Sequence, residues 1–458
     1  MQGKPLLTLA LIVALALALV ACGAPAPTAS QPAAPAAQPT AAQKAAQPAA
    51  SAAQPTTAQA AAPAAKAALQ PAKLRLASWQ WDDPAYKDFW EGTTKAFTEA
   101  NPGVTFDRFA FPIDQLWDKL NTEVAAGSPP DLIEVTGFNV FQYMDQGVLA
   151  PLDKCFAGTD IMDKVKDQKT YAVKDGKPYA LNLSARTLQL FVNEKLFQDA
   201  GVKVPTNFAE FKDAAKKLTV PGKDQYGLVL TNLAHSRLYE GVLVFVAGYG
   251  GHYSKDGKPA LNSPEVIKGV QYFKDLFDAG VMPEGVKDAS AQYAWFNQGK
   301  AAMSIDGAWY WAVLESQAPE VMKNTKIYAI PTDNQKTTGG INNLIGISAK
   351  TPNYQQACEY LKFIADPKWG KTWVEKSRTI YPIEGSVTPE FLKANPWFDI
   401  FNKELAKSVP VAPPGLEIYY NDLQKIINDK LVEVLYNGKP VEQAMNEAQA
   451  AAEKLMKK

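Results

Sequence analysis

The chain has 458 residues, and its 47 Lys and Arg balance its 47 Asp and Glu, so its formal net charge at pH 7 is zero. This balance argues against binding to nucleic acid or to an anionic surface through bulk charge. The chain has two His and three Cys, without a Cys-x-x-Cys, His-Glu-x-x-His or EF-hand calcium-loop spacing. We therefore expect no metal site and no cofactor.

The N-terminal segment predicts export and lipid attachment. Lys4 precedes an apolar run from Leu6 to Ala21, which at 16 residues is short for a membrane span but typical of a signal peptide. The run ends at Cys22, and a Cys directly after small residues at this place resembles the lipobox of bacterial lipoproteins. Residues 1–21 are therefore predicted to be a lipoprotein signal peptide and Cys22 the lipidated residue. The alternative is an ordinary secretory signal cleaved near Cys22.

Residues 22–72 predict a disordered tether. After the Cys they consist mostly of Ala, Pro, Gln, Thr and Ser, with almost no charge and nothing to bury in a core. A flexible chain of about 50 residues has a root-mean-square reach of about 40 Å. We expect the folded part to lie on the extracytoplasmic face of the cell membrane, held there by the lipid anchor.

The remaining residues, about 385, are too many for one core and favour two α/β lobes. Alternating strands and helices in the first block predict a mostly parallel sheet with helices on both faces. The predicted elements of this block are a strand at Leu74–Ser78, a helix at Tyr86–Ala100, a strand at Val104–Phe109, a helix at Asp114–Ala126, a strand at Leu132–Val135 and a helix ending at Asp145.

A second α/β block follows, and its helix starts are marked by capping residues. Its predicted elements are a strand at Leu188–Val192, a helix capped by Asn193, a helix at Phe208–Leu218 capped by Thr206, a helix capped by Ser263 that begins at Pro264, and a strand at Ala301–Ile305. A strand at Leu344–Ser348 and a helix starting at Thr351–Pro352 come next. Residues 385–458 are predicted to be largely helical.

Residues that follow parallel strands lie at the carboxyl edge of the sheet, where open α/β sheets bind ligands. Trp79, Trp81, Asp82, Phe138 and Asn139 occupy such positions and are candidate ligand contacts. The alternative for either Trp is a place in the core.

The stretch from Gly299 to Trp311 is the strongest candidate for the site. The strand Ala301–Ile305 leads into Asp306-Gly307, where Gly307 is expected to supply the positive φ of a tight turn. Three aromatic residues follow, and a ring face suits the C–H face of a sugar. We expect Trp309 to contact ligand, with an ordinary core position as the alternative. Asp306 could accept hydrogen bonds from ligand hydroxyls or stabilise the turn.

Two further ligand contacts are predicted before the strand Leu344–Ser348, at Gly340 and Asn342. Cys155 and Cys358 could form a disulfide in an oxidising compartment. Two buried thiols are the alternative, which we favour. Spacing alone does not decide between the two.

Several motifs, in this order along the chain, carry a family resemblance. They are Phe97-Thr98-Glu99-Ala100-Asn101-Pro102-Gly103-Val104, Gly127-Ser128-Pro129-Pro130-Asp131-Leu132, Asp175-Gly176-Lys177-Pro178-Tyr179, Phe191-Val192-Asn193-Glu194-Lys195-Leu196-Phe197 and Phe296-Asn297-Gln298-Gly299-Lys300-Ala301-Ala302-Met303, with Gly307-Ala308-Trp309 after the last. The set resembles the extracellular solute-binding proteins of ABC importers, in the group that includes maltose-binding protein.

The resemblance implies two α/β lobes joined by hinge segments, with ligand held between them. The first lobe is expected at 73–183 plus 332–384, and the second at 184–331 plus 385–458. It also implies that Trp309 stacks on sugar. Phe138 and Asn139 fall where maltose-binding protein uses charged groups on its sugar, and Arg186 falls on an acidic ligand-contacting position, which argues against maltose. Arg186 could bind vicinal hydroxyls or a ligand carboxylate, or it could be a solvated or ion-paired side chain.

The predicted function is that of a monomeric, membrane-tethered receptor that binds a carbohydrate and hands it to an ABC permease without catalysis. One alternative is a lipid-anchored glycoside hydrolase, which needs two facing carboxylates about 5 to 10 Å apart. No stretch of the sequence sets up such a pair. The other alternative is the same receptor fold serving a non-sugar solute, for which a highly charged cleft is expected.

Overall fold

The structure, a computed structural model, describes residues 68–169, 171–334 and 336–457. The predicted signal peptide, the predicted lipidation at Cys22 and most of the predicted tether lie outside these residues. In the part that is described, no helix is both long enough and apolar enough to cross a lipid bilayer.

The strands and helices largely follow the predicted order. The strands are β1 Ala72–Ser78, β2 Val104–Ala110, β3 Leu132–Thr136, β4 Val173–Lys174, β5 Lys177–Pro178, β6 Ala180–Thr187, β7 Gln189–Asn193, β8 Ser254–Lys255, β9 Lys258–Pro259, β10 Met303–Asp306, β11 Thr325–Tyr328, β12 Thr337–Ile347 and β13 Ser408–Pro410. The helices are α1 Lys87–Ala100, α2 Ile113–Ala125, α3 Val140–Asp145, α4 Asp153–Phe156, α5 Ile161–Lys164, α6 Glu194–Asp199, α7 Phe208–Leu218, α8 Ser236–Gly248, α9 Pro264–Asp278, α10 Ala289–Asn297, α11 Trp309–Gln317, α12 Pro319–Met322, α13 Tyr354–Ile364, α14 Pro367–Ser377, α15 Pro389–Ala394, α16 Asp399–Leu405, α17 Tyr420–Tyr436 and α18 Val441–Leu455.

The first sheet is mixed rather than mostly parallel. Its order is β13-β12-β3-β1-β2, and β6 pairs with β12. β1 runs parallel to β2 and β3, as predicted. β12 runs antiparallel to both β3 and β6, because the chain re-enters this sheet from the second block in the opposite direction.

The second sheet has the order β10-β7-β11, and both strand pairs are antiparallel. β7 carries the predicted apolar strand, which is buried along its length. The α/β prediction is correct, and this second sheet is antiparallel. Single parallel bridges, Tyr226 to Ala301 and Val229 to Ser304, extend the sheet beyond β10.

The chain passes directly from the first sheet to the second, because only Leu188 separates β6 from β7. β6 remains paired with β12 up to Thr187, which lies opposite Gly339. Next to it, Gly340 lies opposite Arg186 and has a φ of 124°, a conformation that side-chain-bearing residues rarely adopt. β6 and β12 thus form a two-stranded ribbon, and β7 of the second sheet begins directly after β6.

The caps of two helices test the sequence reasoning directly. Ser263 accepts a hydrogen bond from the Val266 amide and caps α9, as predicted. At α7 the cap is Asn207, whose Oδ1 accepts from the Glu210 amide at 2.9 Å. The prediction of Thr206 is wrong by one residue, because Thr206 instead donates through its amide and hydroxyl to the Glu210 carboxylate.

A disulfide joins Cys155 of α4 to Cys358 of α13, across 203 residues of sequence. The preferred interpretation of two free thiols is therefore wrong. Both residues are buried in the apolar core beside the first sheet. The bond therefore links α13 to the short helix α4, which precedes β6 in the chain.

Candidate ligand-binding site

A cleft of about 1400 Å³ lies between the carboxyl ends of β1 and β3 on one side and helices α8, α10 and α11 on the other. This is larger than the roughly 300–1,000 Å³ of sites for drug-sized ligands. The side chains that line it include Trp79, Trp117, Asn121, Phe138, Asn139, Tyr143, Arg186, Arg237, Glu240, Tyr293, Trp309, Asn342 and Tyr420.

Six of the ten predicted ligand contacts line this cleft, and four do not. Those in the lining are Trp79, Phe138, Asn139, Arg186, Trp309 and Asn342. Trp81, Asp82, Asp306 and Gly340 lie outside it. Gly340 belongs instead to the ribbon of β6 and β12, where its positive φ accounts for the glycine.

Trp81 and Asp82 turn away from the cleft after β1. Trp81 is only 2% exposed, and its indole nitrogen donates to the Leu76 carbonyl at 3.1 Å, so it belongs to the core. The Asp82 side chain is 80% exposed and pairs with Arg108 at 2.5 Å. The core alternative applies to Trp81, while Trp79 is half-buried and borders the cleft.

Asp306 is completely buried and holds the side chain of Arg237 in place. One of its carboxylate oxygens accepts from Arg237 Nη1 at 2.7 Å, and the other accepts from the Gly307 amide at 2.8 Å. It does not reach the cleft itself, so the turn-stabilising alternative describes it better than direct ligand contact. Its effect on the cleft is transmitted through Arg237, which does line it.

Gly307 is required for a reason other than the predicted one. It does not have a positive φ. A Cβ atom at this position would lie 1.9 Å from Cζ3 of Trp309, so the missing side chain makes room for the indole. Trp309 begins α11, and its ring is held half-buried at the cleft.

The indole of Trp309 is fixed by Tyr293 of α10. Trp309 Nε1 donates to the Tyr293 hydroxyl at 3.2 Å, and Arg237 Nη2 donates to the same oxygen at 2.7 Å. Burial raises the pKa of Tyr293 and nearby Asp306 raises it further, although Arg237 opposes this shift. The hydroxyl therefore keeps its proton at neutral pH.

Arg186 is held among aromatic rings and a carboxylate. Its Nη2 donates to Glu240 Oε1 at 2.8 Å, and both side chains are largely buried. The guanidinium carbon lies 5.6 Å from the ring centroid of Phe138 and 5.4 Å from that of Trp309. The ion-paired alternative for Arg186 is therefore correct, and cation–π attraction adds to the pairing. A ligand stacking on Trp309 must share the ring with this guanidinium or displace it.

The walls of the cleft meet at one aromatic pair. Phe138, which follows β3, stacks on Tyr420 at the start of α17, with ring centroids 4.5 Å apart and planes 11° from parallel. Tyr420 is itself buried in the apolar cluster around the second sheet. The stack thus joins the edge of the first sheet to the core of the second.

The wall of the cleft on the side of the first sheet carries aromatic rings and side-chain amides. Trp79 and Trp117 of α2 lie 5.5 Å apart between ring centroids, and the Tyr143 hydroxyl donates to Asn121. Asn139 uses its Oδ1 to accept from the amide and hydroxyl of Thr136. Among the described residues its Nδ2 has no partner, so this amide is left with donor capacity beside the cleft.

A buried carboxyl group is hydrogen-bonded to a residue of this wall. Glu134 of β3 is fully buried and accepts hydrogen bonds from Ser78 and from Asn343 Nδ2, the latter at 3.0 Å. Asn343 lines the cleft, and its Oδ1 accepts from the neighbouring Asn342. Burial raises the pKa of Glu134 from 4.5 to about 8, although the two hydrogen bonds oppose the shift. The carboxyl is therefore largely protonated at neutral pH.

The raised pKa of Glu134 predicts a specific pH dependence of stability. Between about pH 4.5 and pH 8 the unfolded chain ionises this carboxyl while the folded protein keeps it protonated, so the free energy of unfolding falls as pH rises. Below pH 4.5 both states are protonated and the effect vanishes. Glu134→Gln is expected to remove this contribution, which is about 1.4 kcal/mol per pH unit at most.

Urea denaturation of both proteins at intervals from pH 4.5 to pH 8 measures this effect. The variant should gain stability relative to the unsubstituted protein as pH rises. Parallel stability curves across this range would show that Glu134 does not titrate between the two states.

The sequence reasoning missed several residues that shape the cleft: Trp117, Tyr143, Arg237, Glu240, Tyr293 and Tyr420. Arg237 and Glu240 lie in the first turns of α8, which was not assigned. The apolar run from Val242 to Ala247, which follows Leu238 and Tyr239, is the signal that could have located it.

Comparisons with known proteins agree with this architecture. The family model of the bacterial extracellular solute-binding proteins matches residues 92–399. A binding protein of Brucella abortus (strain 2308) is 25% identical over an alignment of 379 positions, which covers 81% of this chain and 90% of the relative. The arabinooligosaccharide-binding protein of Bacillus subtilis (strain 168) is 26% identical over 312 residues, covering 63% of this chain and 69% of the relative.

The fold also matches solved structures. The GacH receptor of Streptomyces glaucescens, solved unliganded and in complex with acarbose, superposes with a TM-score of 0.74 at 22% identity, covering 85% of this chain and 99% of that one. The family consists of receptors and not enzymes, so the hydrolase alternative is set aside. This chain therefore belongs to the bacterial extracellular solute-binding protein family, as a solute receptor of the ABC-transporter type.

Proposed function

We propose that the protein binds a carbohydrate in this cleft and delivers it to an ABC permease. The observation that carries the proposal is the arrangement of aromatic rings on both walls, with Trp309 on one side and Trp79 with Trp117 on the other. Ring faces cover the apolar C–H faces of sugars, while amides and hydroxyls beside them take the sugar hydroxyls. Asn139, Asn342 and Tyr293 are the polar groups that we propose for this role.

The charges around the cleft favour an uncharged ligand. Arg186 is paired with Glu240, and Arg237 with Asp306. A ligand carboxylate or phosphate would compete with these internal partners, and breaking a buried pair is costly. The cleft volume of about 1400 Å³ leaves room for more than one sugar ring, so an oligosaccharide is the proposed ligand. The name of the arabinooligosaccharide-binding relative supports the same class.

The predicted lobes and anchor complete the proposal. Residues 73–183 plus 332–384 form one lobe and 184–331 plus 385–458 the other, and binding energy favours the closed arrangement that docks on the permease. The lipidated Cys22 keeps the receptor at the membrane, with the Ala/Pro-rich segment as its tether. We propose that it works as a monomer.

A panel of neutral oligosaccharides tests the proposal. Thermal unfolding of the purified protein is measured with arabino-, malto- and chito-oligosaccharides, and a ligand present at 100 times its Kd is expected to add about 2.7 kcal/mol of stability. Chromatography of the same mixtures should show the sugar unchanged. Absence of a shift with every sugar would overturn the carbohydrate assignment.

A further inference from the structure

The Tyr293 hydroxyl has an unusual set of partners. Its oxygen accepts from Arg237 Nη2 at 2.7 Å and from Trp309 Nε1 at 3.2 Å. A phenolic oxygen has one proton to donate and little acceptor capacity beyond two such bonds. Both acceptor positions are thus used by the protein, and the proton is left without an acceptor among the described residues.

The location of the Tyr293 hydroxyl determines which groups can accept its proton. Tyr293 is half-buried and lines the cleft, directly beside the ring of Trp309. Its ring stacks on Tyr310 with centroids 4.3 Å apart and planes 13° from parallel, so the phenol cannot swing away without losing this contact. The hydroxyl proton, which has no acceptor among the described residues, is thus available to a group bound beside Trp309.

The groups behind Tyr293 are held rigidly. Arg237 is fixed by the buried Asp306, which also accepts from Gln292 Nε2 at 3.4 Å. Gln292 itself donates to Ser304 and to the Ile305 carbonyl. The hydroxyl is thus oriented before any ligand arrives, and such preorganisation lowers the entropy that binding must lose.

We propose that Tyr293 is a specificity-determining residue that donates a hydrogen bond to an oxygen of the sugar seated against Trp309. This inference rests on the proposed carbohydrate ligand and deepens it. Because the oxygen of Tyr293 is already saturated as an acceptor, it offers the ligand only a donor. The site therefore selects sugars with an acceptor oxygen at this place and rejects the analogue that lacks it, since the hydroxyl would then remain unpaired.

The test separates donation to ligand from support of Trp309. Maltotriose, arabinotriose and chitotriose are titrated by calorimetry, and the tightest binder is compared with its monodeoxy analogues. One analogue is expected to bind the unsubstituted protein about tenfold more weakly than the parent sugar through loss of this bond. Tyr293→Phe should bind the parent sugar about tenfold more weakly and should no longer distinguish it from that analogue.

Tyr310→Phe is the matched control. It removes a hydroxyl from the ring stacked on Tyr293, but that hydroxyl donates to Asn297 at 2.7 Å and does not line the cleft. We expect this variant to keep both the affinity and the discrimination. If Tyr293→Phe weakens all sugars by one common factor and still distinguishes the analogue, Tyr293 only supports Trp309 and the inference fails. If the unsubstituted protein binds none of the sugars, the carbohydrate function fails and takes this inference with it.

Discussion

Trp309→Ala is expected to weaken sugar binding by about 100-fold or more, the loss typical of an aromatic residue that the bound partner covers at the centre of an interface. The substitution removes the ring that faces the cleft and leaves the Tyr293 hydroxyl without its indole partner. Trp309 is only half-buried, at the start of α11, so the fold should survive. Calorimetric titration gives the affinity, and circular dichroism checks the fold.

Gly307→Ala tests the same ring without deleting it. The new methyl group would lie 1.9 Å from Cζ3 of Trp309, so the indole must move and weaken its hydrogen bond to Tyr293. We expect about a tenfold loss of affinity, which is about 1.4 kcal/mol, because the displaced ring keeps only part of its contact with the sugar. Gly222→Ala, where a Cβ meets no atom within 4 Å, is the matched control. Unchanged affinity in both Trp309→Ala and Gly307→Ala would place the ligand elsewhere.

Replacing both Cys155 and Cys358 with Ala is expected to lower the free energy of unfolding by about 3–5 kcal/mol. The bond spans 203 residues, so it removes much conformational freedom from the unfolded chain. Urea denaturation with and without a reductant measures the effect. The reductant should destabilise the unsubstituted protein to a similar degree and leave the double variant unaffected. A double variant as stable as the unsubstituted protein would show that the bond contributes nothing to stability.

The local elements of the fold could be predicted because they depend on neighbouring residues. The apolar face of α1 and the Ser263 cap of α9 are both visible in the sequence and both present in the structure. The direction of β12 could not be read in this way, because antiparallel pairing with β3 is set by the path of the chain through the second block.

The candidate site could be predicted only in part, for a similar reason. Trp79 and Trp309 were found from their positions after strands. Trp81 was misjudged, because the turn after β1 folds its indole back to the Leu76 carbonyl, a contact that spacing does not reveal. Asp306 was predicted to contact ligand because its partner Arg237 lies 69 residues away in the sequence, so the sequence does not reveal that the two residues pair. Its charge and its turn position were visible, but its burial was not.

The stack of Phe138 on Tyr420 has a consequence for the heat of binding. Opening the cleft there would expose two aromatic faces to water, and exposure of apolar surface raises the heat capacity. A sugar-free protein that keeps these rings together should show only the heat-capacity change of covering the sugar and its pocket. One that starts with the rings apart should show a more negative change, so the temperature dependence of the binding enthalpy reports how the empty receptor is held.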